Sequence, residues 1–370
     1  MSFSHIIALA IKEFLALLRD KRSRIVIIAP PIIQLLVFGF AATYDLNHVP
    51  IAIYNQDTGQ ASRDLISHLD GSPNFQVVKT ISNEVDIAPL IDNKEVLLIL
   101  NIGSHFSADM LRGKSTSVQL ILDGRNSNTA MIAMNYVSTI LLDFNHNWLL
   151  THGKSGPKVT LLMRNWYNEN LQSRWFIIPG IICLLTLVVT LLVTALSVAR
   201  EREAGTFDQL LVTPLRPIEI LIGKAIPGLV IGIVEATFIL ILTVWLFNIP
   251  LRGDIGALYL GLLLFLLSAT GIGLMISSIA VTQQQAILGT FLFLVPAVIL
   301  SGFSTPIANM PEVIQWLTYI DPLRYFLIIV RSVFLEGVSY GLLLNQYWPM
   351  LVLGVVTLAL SGWLFRHRMY

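Results

Sequence analysis

Six stretches of this chain are apolar over a length that matches the hydrocarbon core of a bilayer. They are Ile25–Ala42, Trp175–Ala199, Ile218–Phe247, Ile255–Ala280, Ala286–Phe303 and Tyr347–Phe365. About 20 apolar residues suffice for a helix to cross. In lipid each backbone N–H and C=O must be paired within its own segment, so such runs fold as helices. Only 13% of residues are charged and 55% are hydrophobic, where a soluble domain carries about 25% charged residues. The expected class is an α-helical polytopic membrane protein with six transmembrane helices.

Orientation follows from the basic residues in short loops, which stay on the cytoplasmic side. Between the second and third runs lies Arg200–Pro217, and Arg200, Arg202, Arg216 and Lys224 mark its face as cytoplasmic. This segment is amphipathic and joined directly to two spans. Phe207, Leu210 and Leu211 fall on one side at helical spacing, with Glu201, Glu203 and Asp208 available to a partner. At the other end of the chain, Phe3, Ile6, Ile7, Ala10, Phe14, Leu17 and Leu18 form a stripe, with His5, Lys12, Glu13 and Arg19 largely off it. That pattern suits an interfacial helix within 1–24. The first span, 25–43, ends in Phe-Ala-Ala-Thr-Tyr without a clear cleavage site, so it reads as retained. Six crossings leave both termini cytoplasmic, in keeping with Arg366, His367 and Arg368.

Residues 44–174 change character. Ile51–Tyr54, Gln76–Lys79, Val96–Leu100 and Val118–Leu122 read as strands, alternating with helical stretches at 62–69, 85–92, 104–111 and 128–150. That order predicts an α/β domain, placed outside the cytoplasm because the first span leads out of it. Residues 304–343 are apolar yet broken by Pro306, Pro311 and Pro322 and charged at Glu312, Asp321, Arg324, Arg331 and Glu336. A seventh span would put Arg324 and Arg331 in hydrocarbon at ~2.5–3.5 kcal/mol each. Two re-entrant helices dipping from the outer face fit better, within a membrane part spanning 175–370.

Most chemistry is excluded. A net charge of +1 leaves no basic footprint for nucleic acid. Gly113-Lys114-Ser115 and Gly153-Lys154-Ser155 mimic a phosphate loop, but Ala108 and Trp148 stand where its first glycine belongs. The histidines have no metal-ligand spacing, no nucleophile has a discernible base, and Cys183 sits alone in an apolar run. No enzyme, cofactor or metal site is expected of this chain. One residue stands out in the third span. Glu235 is an ionisable group amid apolar neighbours, with Gly228 and Gly232 nearby to allow close helix approach. It reads either as a lining or gating residue of a substrate path or as an interhelical hydrogen bond, with Gln34 of the first span as a candidate partner.

The layout resembles the permease subunits of bacterial type-2 ATP-binding-cassette exporters with a large ectodomain between the first two spans. Ala199–Pro214 is similar to that family's coupling helix, and Ile222-Gly-Lys-Ala-Ile-Pro227 to the start of its third span. Leu300–Pro311 and Tyr319-Ile-Asp-Pro-Leu-Arg-Tyr325 resemble its re-entrant outer helices, and Ile121–Asn128 an ectodomain stretch. The resemblance implies a second permease subunit, identical or not. It also implies a cytoplasmic ATPase that supplies the ATP chemistry, contacted through Glu201, Glu203, Gly205, Thr206 and Leu210. The expected protein exports drug-like or amphipathic compounds across a bacterial inner membrane, with its ectodomain in the periplasm facing an adaptor. An ion-driven carrier, or a membrane sensor transmitting force through the ectodomain, are the rival classes.

Overall fold

The computed structural model describes residues 3–19, 21–41, 46–125, 127–152, 173–207, 209, 213 and 215–368. The chain divides into two compact units, residues 44–164 and the remainder.

The smaller unit is built on a four-stranded sheet of β1 (Val49–Asn55), β2 (Phe75–Ile81), β3 (Leu98–Ile102) and β4 (Val118–Leu122), in the order β2-β1-β3-β4. The strands overlap the four runs read from the sequence. β1 is parallel to β2 and to β3, and β4 closes the edge antiparallel to β3. Parallel neighbours need crossover connections and tend to be covered on both faces, and β1 shows both features. Its Val49, Ile51 and Ile53 pack with Leu65 and Leu69 of α3 (Gln60–Asp70) and with Ala133, Val137 and Phe144 of α6 (Ser127–Thr151). The alternate residues Ala52 and Tyr54 pack with Leu90 of α4 (Ile87–Asp92). A further helix, α5 (Phe106–Arg112), follows β3 and ends at Gly113 with φ 73°.

The larger unit begins with α1 (Phe3–Arg19) and α2 (Lys21–Ala41) and continues with α7 (Ser173–Glu203), α8 (Pro217–Phe247), α9 (Ile255–Ile279) and α10 (Gln283–Leu300). Two short helices follow, α11 (Glu312–Leu317) and α12 (Pro322–Arg331), and then α13 (Tyr340–Arg368). Among the described residues, five helices, α7 to α10 and α13, are long and apolar enough to cross a membrane. The pair spanning Glu312–Ile320 and Pro322–Glu336 is bent by 85° and makes a sixth if counted as one broken span. In α2, where the first span was expected, the apolar stretch is the shorter Ile28–Phe40, because Lys21, Arg22 and Arg24 occupy its opening turns.

Helix starts carry their own signals. The Arg216 N–H donates to the Glu219 carboxylate ahead of Pro217, and Asp254 and Asp321 accept from Gly256 and Leu323. These are N-cap arrangements that satisfy donors with no partner inside the helix. α7 runs through the centre: Ile178, Ile181, Cys183, Leu185, Leu187 and Leu191 are all buried in one apolar core with Phe265 and Phe326, whose rings stack at 4.4 Å. α8 approaches its neighbours closely at glycines, among them Gly228 and Gly232. A Cβ on Gly228 would stand 2.3 Å from Thr194, and one on Gly232 would stand 2.5 Å from Leu266.

Candidate coupling site and membrane cavity

α7 ends in a glycine-terminated turn. Gly205 has φ +67°, its N–H donates to the Arg202 carbonyl, and the Thr206 N–H donates to the Glu201 carbonyl. These bonds satisfy carbonyls of the last helical turn while reversing the chain, which an L side chain at that φ resists. Glu203, Gly205 and Thr206 are exposed just there. Leu210 lies outside the described residues.

The two residues before the turn fasten α7 to its neighbours. The Arg202 Nη1 donates to the Ser278 and Ala280 carbonyls at the end of α9, at 2.9 and 3.1 Å. Glu203 accepts the Gln283 N–H, the first of α10, at 2.8 Å. One side chain thus takes up carbonyls left over at a helix C-terminus, and the next takes up a donor left over at an N-terminus. Sequence reading treated Arg202 as a topology marker only and missed this clamp on the turn at 280–283.

Glu201 faces inward. It is buried, accepts from the Lys12 Nζ at 2.5 Å and meets the Lys224 Nζ at 2.6 Å. Lys224, only 1% exposed, also donates to Glu13 at 2.7 Å and to the Ser197 hydroxyl at 3.4 Å. Two carboxylates and two ammonium groups therefore balance in one knot joining α1, α7 and α8. Buried charge is tolerated only when paired and hydrogen-bonded, so the knot fixes how α1 lies against the bundle. Glu13 was read as lying off the buried stripe of α1; instead it sits inside with Ile6, Leu9, Ala10 and Leu17. The available signal was Lys224, a cation within an apolar helix that needs a carboxylate. Beside the knot opens a cleft of about 460 Å³ whose walls include Lys12, Arg200, Thr206, Gln209 and Thr213.

Farther along α8, Glu235 borders a cavity of about 370 Å³. Phe14 and Leu17 of α1, Ile28 and Ile32 of α2, and Val234 and Phe238 of α8 form much of its apolar wall, and Arg24 also lines it. Both carboxylate oxygens of Glu235 are without a hydrogen-bond partner among the described residues. Gln34 is half-buried on α2 and is not among the residues lining the cavity.

A family described as "ABC-2 family transporter protein" matches residues 21–363. The chain belongs to the ABC-2 transporter family. It is 40% identical over 358 residues to the "Probable multidrug ABC transporter permease YbhR" of Escherichia coli, covering 96% of this chain and 97% of that protein. The "Probable multidrug ABC transporter permease YbhS" of the same organism is 32% identical over 343 residues, 91% of this chain and 90% of its own length. The "Inner membrane transport permease YhhJ" is 28% identical over 355 residues, 95% of this chain and 94% of its own. The chain is therefore a transmembrane permease of an ABC exporter. ABC-2 membership also implies an ATP-binding-cassette partner.

Proposed function

We propose that this ABC-2 permease exports drug-like, amphipathic compounds from the cytoplasm or inner leaflet of a bacterial inner membrane, powered by a separate cytoplasmic ATPase. The carrying observation is the double fastening at the end of α7. Lys224 and Glu201 hold α1 and α8, and Arg202 and Glu203 hold α9 and α10, directly beside the exposed turn at Gly205. An ATPase docking on residues 200–217 and in the neighbouring cleft would push on four helices at once. Glu203, Gly205 and Thr206 are the contacting positions in this reading, and Glu201 passes the displacement inward to α1 and α8.

Basic residues at Arg200, Arg202, Arg216, Arg366 and His367 favour a cytoplasmic placement of this end and of both termini. The α/β unit then lies in the periplasm, available to an adaptor, and α11 and α12 re-enter from the outer face. A second permease subunit completes the transport path, to which the Glu235 cavity contributes one wall. An unpartnered carboxylate in an apolar, lipid-level cavity suits amphipathic solutes that carry a hydrogen-bond donor or a positive charge.

The test is co-purification of an ATPase from mildly solubilised membranes, with transport of a fluorescent amphiphile measured in parallel. Glu203→Arg should leave the permease in the membrane but reduce bound ATPase and transport together. Unchanged export with this substitution would remove the coupling assignment.

A further inference from the structure

A second cavity, of about 490 Å³, lies between α12 and the first half of α13, at the end of that helix away from Arg366. Its lining includes Arg324, the carboxamides of Asn345 and Gln346, the aromatic rings of Tyr319 and Trp348, and Ile328. Arg324 is the unusual member. Its Nη1 donates to the Thr318 hydroxyl and its guanidinium lies 4.2 Å from the centre of the Tyr319 ring. Its buried Nε has no acceptor, and no ion pair to it occurs among the described residues. The neighbouring acid, Asp321, spends one oxygen capping α12 through the Leu323 N–H. Its second oxygen makes no hydrogen bond among the described residues. A half-buried cation with no anion bonded to it is unfavourable, the more so in a membrane, and the site holds a guanidinium able to accept one.

The surroundings indicate what supplies it. On α13, Leu342, Leu344, Trp348 and Leu351 are exposed large apolar residues along the helix beside the cavity, a surface fit for lipid rather than water. Trp348 and Tyr319, 61% and 51% exposed, are the residue types that favour the headgroup level. Arg331, one helical stretch further on, also lacks an ion pair among the described residues, but it lies over the Phe176 ring at 3.7 Å and is not part of this cavity's lining.

We propose that this cavity binds the phosphate-bearing head group of an anionic phospholipid. Arg324 is the anion contact, Asn345 and Gln346 are further hydrogen-bond donors, and the acyl chain runs along the apolar face of α13. Guanidinium-to-phosphate bonds are charge-assisted and directional; a zwitterionic phospholipid offers the same phosphate but brings its own cation beside Arg324, and that like-charge repulsion favours an anionic head group. Free phosphate shares the head-group chemistry but gains nothing from the apolar wall.

Native mass spectrometry of the full-length permease, titrated with phosphatidylglycerol, phosphatidylcholine or inorganic phosphate, tests this. Phosphatidylglycerol should bind in preference to phosphatidylcholine. Arg324→Gln should weaken that binding about tenfold, the scale of one charge-assisted hydrogen bond, and Arg324→Lys should restore part of it. Asn345→Leu lies outside the Arg324–Thr318 bond and should weaken binding without disturbing that local structure, which keeps the test valid if Arg324→Gln folds poorly. Equal binding of the two lipids, or phosphatidylglycerol binding unaltered by both Arg324→Gln and Asn345→Leu, overturns the site. Displacement of phosphatidylglycerol by inorganic phosphate at equal concentration overturns the lipid as its ligand.

Discussion

Replacing Lys224 by methionine tests the central feature of the coupling end. The ammonium group meets Glu13 at 2.7 Å and Glu201 at 2.6 Å. With an effective dielectric of about 20, each contact supplies ~6 kcal/mol of attraction. Withdrawing the ions from water costs several kcal/mol apiece, so the intact knot is nearly neutral in net stability. Removing its centre is a different matter. Methionine fills a similar volume but leaves Glu13 with the Ser197 hydroxyl at 3.4 Å as its remaining neighbour in the knot. Lys12 offers little relief: its side chain is 52% exposed, and a bridge of that kind contributes ~0–1 kcal/mol.

The expected cost of Lys224→Met is therefore the cost of an orphaned buried charge, ~3–5 kcal/mol. Two measurements on the full-length permease in detergent would show it. The thermal midpoint should fall by several degrees, and amide hydrogen exchange should rise across α1, whose anchor is gone. Lys224→Met with Glu13→Gln removes the orphaned charge as well and should recover more than half of both losses. Wild-type exchange in α1 together with an unshifted midpoint in the single variant would refute the reasoning. So would a double variant as destabilised as the sum of the two single changes, since that denies any coupling between the groups.

Gly205→Ala meets no atom of the described residues within 4 Å at its new Cβ, so the cost on this count is that of the left-handed backbone, ~1–2 kcal/mol. The protein should fold and insert while ATPase-coupled transport falls, and full transport would count against the role of this turn. Glu235→Gln should alter transport of positively charged amphiphiles more than it alters the amount of protein in the membrane; loss of the protein itself would mark Glu235 as structural. In the α/β unit, the Arg125 side chain and then its N–H donate to Asp123 and hold its carboxyl down to about 2. Because this lies below the ordinary carboxylate value near ~3.9, the stabilisation is complete above that pH and fades as pH falls through about 2. Limited proteolysis of the full chain should show Arg125→Met opening near residue 123 at a higher pH than wild type, and identical acid onset would refute the linkage.

The membrane character and the strand runs were legible because each is a local property. Hydropathy integrates over a span, and β-branched runs mark strands. The knot was not legible in the same way. Its bond from Lys224 to Glu13 joins residues 211 apart, and periodicity counts apolar positions, so it leaves a carboxylate off the buried face by construction. Charge inside an apolar run was the cue, and it was followed at Glu235 but not at Lys224. The same limit hid Arg202 and Glu203. As sequence they are a basic and an acidic residue at a membrane face, and only the return of α9 and α10 to that face shows what they hold. For Glu235 and Gln34, both were recognised as polar groups within spans, but pairing them required knowing how α2 turns about its axis. Gln34 does not line the Glu235 cavity.

The two fastenings differ in a way that bears on how force would travel. Arg202 and Glu203 bind backbone groups of α9 and α10, groups whose positions are fixed by the helices themselves, so that joint is stiff. The knot joins flexible side chains through charge, and its ions have other oxygens within reach; Lys224 meets Glu13, Glu201 and Ser197 together. Such a joint can exchange partners while staying neutral. Displacement of the turn at Gly205 would therefore carry α9 and α10 rigidly along with α7, while the knot would pass the motion on to α1 and α8 with some give. Those two helices border the Glu235 cavity. At the other end of α7, a Cβ on Gly180 would stand 2.7 Å from Phe303, so the helix is wedged there and motion at its coupling end becomes a tilt. In the proposed coupling, movement of α1 and α8 relative to α7 would reshape the wall of the Glu235 cavity directly, since both helices line it, and this makes that cavity, rather than the one beside Arg324, the element expected to respond to the ATPase.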